Sequence, residues 1–178
     1  LWECKDSTNS DDSSFQTNML FKDTNAWYHI VFSYDSSQGT EANRLKLWVN
    51  GVDIRNDGGG FSSINEASSN FGTLWSSASK HFLGRTSNNS GTAYTFNGIM
   101  SHVHLTYGTT YTASTFGSTD STTGEWKINT SPSVTYGNNG FFILKDGNSV
   151  TDQSGKGNNF TVASGTLTKT EDNPSNVF

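Results

Sequence analysis

The sequence predicts an all-β domain, and three observations carry that prediction. Residues 27–35 and 45–51 are runs in which apolar side chains recur at every second position, the period of a strand. The second run ends in Asn50-Gly51, a pair suited to a two-residue hairpin because both turn positions require positive φ. The third observation is composition: 18 glycines against two prolines, with 31% apolar and 13% aromatic residues. That mixture suits many short strands joined by polar turns, with a core built from Phe, Tyr and Trp. The aromatic content sets the chain apart from a disordered one. Its 178 residues suffice for one sandwich-sized domain.

Each element follows from local pattern. Residues 1–18 are polar and acidic, a lead-in segment forming a loop or a loosely held strand. Order begins over residues 18–21, and Lys22-Asp23-Thr24-Asn25 has turn composition. In the strand over 27–35, Tyr28, Ile30, Phe32 and Tyr34 share the face expected to meet the core. The alternate face, with His29, Val31 and Ser33, is semi-exposed or covered by a loop. After a polar connection over 36–43, Leu45, Leu47 and Val49 point one way while Lys46 and Trp48 point the other, Trp48 toward a neighbour. Val52-Asp53-Ile54 returns as the partner strand. Residues 55–79 form a Gly- and Ser-rich excursion, long enough to suggest function. A strand is expected over 80–84, a turn over 87–91, and a long strand over 94–105 interrupted at Gly98. Residues 110–117 suit one helical turn that sets Phe116 against the body. Trp126, Phe141-Phe142-Ile143-Leu144 and Phe160 belong to further β structure.

The formal net charge is -5 and no Lys/Arg run marks a phosphate-binding face, which argues against nucleic acid as a partner. The apolar stretches fall well short of the roughly 18 residues that span a bilayer, and no signal-peptide pattern is visible. The single Cys4 leaves no internal disulfide framework, so stability must come from packing. A first residue of Leu1 leads to the expectation that the chain is a piece of a longer or processed polypeptide.

The pairing of residues 27–35 with Leu45-Lys46-Leu47-Trp48-Val49-Asn50-Gly51 resembles the middle of a laminin G-like, concanavalin A-like jelly roll. His81-Phe82-Leu83-Gly84-Arg85 followed by residues 96–105 extends the resemblance, which is strongest over 19–117. It implies a two-sheet antiparallel β-sandwich. Asp152-Gln153-Ser154-Gly155-Lys156-Gly157-Asn158 resembles the stretch that usually opens such a domain, yet here it lies near the C-terminal end. Either a second, truncated copy begins there, or residues 141–160 fold back and complete the first sandwich. We expect the fold-back, because an unpaired Phe-Phe-Ile-Leu strand invites aggregation. The expected layout is a lead-in over 1–18, the sandwich over 19–170, and an exit into a longer chain over 171–178. An aromatic strand that often precedes this region in the family is not seen, so the chain is expected to begin partway through its domain.

Residues 23–31, 116–127 and 152–160, with Asn173-Pro174-Ser175-Asn176, more closely resemble structural proteins of tailed bacteriophages, especially marine ones. The lack of disulfides tilts the same way. The resemblance implies a structural or adhesion module on a fibre, tail or capsid appendage at the virion surface. Its implied partners are other virion proteins or copies of itself, and host-surface glycans, with no nucleic acid and no membrane insertion. A secreted carbohydrate-binding module is the alternative, and a glycoside hydrolase a third. The resemblance also implies a possible calcium ion at the rim, since hard cations take carboxylate and carbonyl oxygens from loops. Asp152 with Asn158 is the best local candidate, with Asp35 or Asp53 contributing. In the competing reading, Asp152 caps its own turn.

A hydrolase on such a fold needs two carboxylates flanking the scissile bond, commonly at alternate positions of one strand. Glu3, Glu41, Glu66, Glu125 and Glu171 are scattered instead, and the pairs Asp11-Asp12 and Glu171-Asp172 lie in polar, solvated sequence. No nucleophile elbow is present, and Gly58-Gly59-Gly60 lacks the Lys and helix of a phosphate loop. The chain is therefore expected to be non-enzymatic. His102 and His104, two apart, would share a face. They are either two imidazoles for one metal or two polar groups on the open side of a strand. His29 is read as a structural hydrogen-bonder. For carbohydrate, the candidates are Trp75 on the long excursion and Tyr94 beside Asn88. For each aromatic, a place at the core edge or a subunit interface is the favoured competing role.

Overall fold

The computed structural model describes residues 2–5, 12–65, 68–70, 72, 81–87, 93–145 and 149–174. These form short antiparallel strands with two single-turn helices, an all-β architecture. In chain order the first elements are β1 (Trp2–Lys5), β2 (Asp12–Thr17), β3 (Ile30–Tyr34), α1 (Glu41–Arg44), β4 (Leu45–Val49), β5 (Val52–Asp53) and β6 (Phe61–Asn65). There follow β7 (Arg85–Ser87), β8 (Ala93–Thr95), β9 (Val103–Leu105), α2 (Ala113–Phe116), β10 (Gly117–Thr119), β11 (Trp126–Ile128) and β12 (Phe141–Ile143). Two sheets have three strands each, in the orders β1-β2-β6 and β3-β4-β5, and the remaining strands pair as β7–β8, β9–β12 and β10–β11.

The β3–β4 hairpin follows the period-two pattern, with Phe32 opposite Leu47 and Tyr34 opposite Leu45. Its connection is organised by two side chains. The Asp35 carboxylate accepts from the Ser37 amide at 3.0 Å and hydroxyl at 2.6 Å. The buried Arg44 guanidinium donates to the carbonyls of Gln38 and Gly39. Asn50 and Gly51 both adopt positive φ, 49° and 80°, the expected hairpin geometry.

Both faces of β4 are covered. Leu45, Leu47 and Val49 pack with Phe15 and Ile54, flanked by Tyr28, Phe32 and Phe61. Phe15 bridges the two three-stranded sheets, its ring 5.8 Å from Phe32 and 5.3 Å from Phe61. Leu45 and Ile54 are fully enclosed, each burial contributing roughly 2 kcal/mol. On the opposite face Val31 and Trp48 pack with Ala113, Phe116 and Trp126.

Several expectations are corrected. Trp48 is buried by α2 of its own chain rather than set against a neighbour, because the helical turn predicted over 110–117 lands on that face. Ile30 is 55% exposed despite sharing the core-facing period with Phe32 and Tyr34. Residues 81–84 are not a strand, and β7 starts at Arg85. The long strand expected over 94–105 divides into β8 and β9, with His102 at φ 50° just before the second. The polar lead-in contributes β1 and β2, and the Gly- and Ser-rich excursion contributes β6, paired to β2. β12 pairs with β9, Phe142 opposite His104, and Phe160 meets Phe141 edge-on at 4.8 Å.

Candidate functional site

An open cleft of about 2400 Å³ lies among the described residues, larger than the roughly 300–1,000 Å³ of small-molecule pockets. Its walls come from residues 25–37, 96–111 and 124–130, with Asp172 and Pro174 at one end. Aromatic rings are prominent in it: Trp27, Tyr28, Phe96, Tyr107, Tyr111 and Trp126 all line it, alongside amides such as Asn25, Asn97 and Asn129. Two residues near the C-terminal end bond to cleft residues. Trp27 Nε1 donates to Asp172 Oδ1 at 2.9 Å, and Ser101 Oγ lies 3.4 Å from Asn173 Oδ1.

Three histidines stand along this cleft. His29 is fixed at its backbone by Asn50, whose Oδ1 accepts from His29 N and whose amide donates to His29 O, both at 2.8 Å. Its Nδ1 accepts from Trp126 Nε1 at 2.9 Å, with the rings stacked at 5.9 Å. That is the hydrogen-bonding role expected of it. Burial lowers its pKa below the ordinary imidazole value.

His104 and His102 are not groups on an open strand face. The His104 ring stacks on Phe142 at 3.9 Å and shares a 2.9 Å hydrogen bond from Nδ1 with the Tyr136 hydroxyl. His102 lies 6.0 Å from the same Phe142 ring, its Nδ1 2.7 Å from Ser101 Oγ. Desolvation, helped by the neighbouring His102, His29 and Lys145, lowers the His104 pKa to about 4. Burial and the Asp152 charge raise Tyr136 to about 12. Near neutral pH the His104–Tyr136 pair is therefore uncharged. No group of three or more His, Cys, Asp or Glu able to hold a metal occurs among the described residues.

Of the residues nominated from sequence, Trp75 and Asn88 lie outside the described residues. Tyr94 sits in β8, its backbone opposite Thr86 of β7. Asp152 and Asn158 are brought together, but through main chain. Asp152 Oδ1 accepts from the amides of Phe142 and Ser154, and Oδ2 accepts from Ser154 Oγ and Asn158 N, all at 2.8–2.9 Å. The Asn158 side chain instead donates to the carbonyls of Asn138 and Gly140. Four donors on one carboxylate make a turn cap that ties the Gly-rich loop to β12. Burial works against ionisation of Asp152, yet these bonds outweigh it and leave its pKa below the usual value. Asp35 and Asp53 likewise serve their own turns, Asp53 accepting from Arg55 N, Asn56 N and Asn56 Nδ2.

Sequence reasoning did not pick out the cleft residues Trp27, Tyr107, Tyr111 and Trp126 as a set. They come from segments far apart in the chain, and no periodicity links them. Comparison with family models, with curated proteins and with solved structures found no match to this chain.

Proposed function

We propose that this chain is a non-enzymatic binding module of the laminin G-like jelly-roll type, displayed on a bacteriophage fibre, tail or capsid appendage and contacting host-surface glycans. The observation that carries the binding role is the wide aromatic cleft with amides along its walls. Flat rings stack on the apolar faces of sugars while amides and hydroxyls bond their hydroxyl groups. Its size favours an extended saccharide over a small molecule. The virion location is carried by the sequence resemblance of residues 23–31, 116–127 and 152–160. A secreted carbohydrate-binding module would use the same cleft.

The test is adsorption competition. Purified chain is added to candidate host cells, with and without a calcium chelator, before exposure to the parent particle. Blocked adsorption that weakens with Trp27→Ala and Tyr107→Ala supports the adhesion role through the cleft. Loss of blocking on chelation would assign a cation to the rim loops. A folded chain that neither binds cells nor blocks adsorption removes the adhesion role and leaves assembly with neighbouring virion proteins.

A further inference from the structure

Trp126 attaches the β10–β11 ribbon to the β3–β5 sheet through one directional contact. The indole N–H only donates, so the 2.9 Å bond to His29 Nδ1 requires that nitrogen to be unprotonated. The partners cannot readily drift to a substitute geometry. His29 is held on both backbone sides by Asn50. The indole is seated against Gly51 and Gly117, where a Cβ on either glycine would overlap its ring.

The surroundings offer little to compensate a charge on His29. The turn contributes neutral Asn50 and Gly51. From β11 the flanking groups are Glu125 and Lys127, the latter paired with Asp120 at 2.7 Å. From β9 the facing group is His104, another imidazole, which feels His29 electrostatically and is itself bonded to Tyr136. Burial alone accounts for the depressed pKa of His29.

We propose that the His29–Trp126 contact is an acid-released latch. Neutral His29 holds the β10–β11 ribbon on the sheet, and a proton on Nδ1 replaces the acceptor with a donor, ejects the indole and opens the adjoining end of the cleft. This inference does not depend on what the cleft binds.

The test follows the Trp126 indole N–H resonance of the whole chain by NMR, assigned with Trp126→Phe, together with amide exchange at Asp120 and Asn129. Both of these amides close the ribbon region, onto the carbonyls of Glu125 and Phe116. As pH falls from neutral through and below the ordinary imidazole range, the indole signal should move toward its solvent-exposed position. Ribbon exchange, corrected for intrinsic rate, should rise several-fold over the same range, because the proton that His29 gains removes the acceptor that holds the ribbon. His29→Asn keeps an acceptor near the Nδ1 position without titrating, and should hold both readouts constant. His104→Gln should leave the midpoint where it is. Trp126→Phe removes the donor and should give fast, pH-independent ribbon exchange already at neutral pH. The latch is overturned by a wild-type indole signal that does not move, by His29→Asn following the wild-type curve, by His104→Gln abolishing the transition, or by Trp126→Phe exchanging as slowly as wild type.

Discussion

His104 is the residue whose protonation has the clearest energetic consequence. In the unfolded chain an imidazole titrates near 6.5, whereas the ring between Phe142 and Tyr136 titrates at about 4. Between these values the unfolded chain binds more protons, so stability rises with pH. The full stability is present above about pH 6.5 and falls away toward about pH 4, a loss on the order of 3 kcal/mol from this group. Urea midpoints measured at several pH values should show that slope, and His104→Phe, which keeps an aromatic ring on Phe142, should flatten it. An unchanged midpoint from pH 7 to 4.5 would mean that His104 is not held neutral. Asp152 acts in a separate window. Its pKa is lowered, so its contribution is present above the ordinary carboxylate range and is lost only as pH falls through the lower folded value. Asp152→Ala strands the amides of Phe142, Ser154 and Asn158 and should cost about 2–4 kcal/mol by chemical denaturation. Asp152→Asn should cost less, because one oxygen can still accept from two of those amides.

At the scale of elements, the β4–β5 turn does two jobs, and only one is legible in the sequence. Asn50-Gly51 announces a hairpin through local chemistry alone. That Gly51 also forms the seat of Trp126 depends on a ribbon 66 or more residues further along the chain. Gly51→Ala therefore meets two costs, about 1 kcal/mol for an L-residue at φ 80° and about 1–3 kcal/mol for overlap with the indole. The melting temperature should fall by about 5–15 °C. Gly39→Ala, with open space around its Cβ and no positive φ, should shift it little. If the two variants melt alike, Trp126 is not seated on the turn. The same contrast explains the rest of the sequence reading. β3, β4 and α2 were visible because alternation and small helical turns are local signals. β2 and β6 were not, since Asp12–Thr17 has Phe15 as its one apolar residue and Phe61–Asn65 sets Phe61 and Ile64 three apart, out of the strand period. The cleft was less legible still. Its aromatics sit on three segments that only tertiary folding gathers, and the residues nominated for it came from turns and loops judged one at a time.

For the whole molecule, the decisive feature is that β4 serves two clusters with alternate side chains. Leu47 faces the cluster of Phe15 and Ile54, while its neighbour Trp48 faces Ala113 and the β10–β11 ribbon. Neither cluster can dissolve without disturbing the strand that orders the other, so the described body should unfold as one cooperative unit. Leu47→Ala should cost about 2–5 kcal/mol and Trp48→Ala about 3–5 kcal/mol. Each should move a single transition, with backbone circular dichroism and residual tryptophan fluorescence superimposing throughout. A fluorescence change preceding the loss of strand signal in Trp48→Ala, but not in Leu47→Ala, would show that the α2 and β10–β11 side detaches independently. In that case the latch at His29 would govern a local opening with its own equilibrium. If the transitions coincide in both variants, acid release of Trp126 must instead draw on the stability of the entire body, and the pH dependence of ribbon exchange should track that of global unfolding.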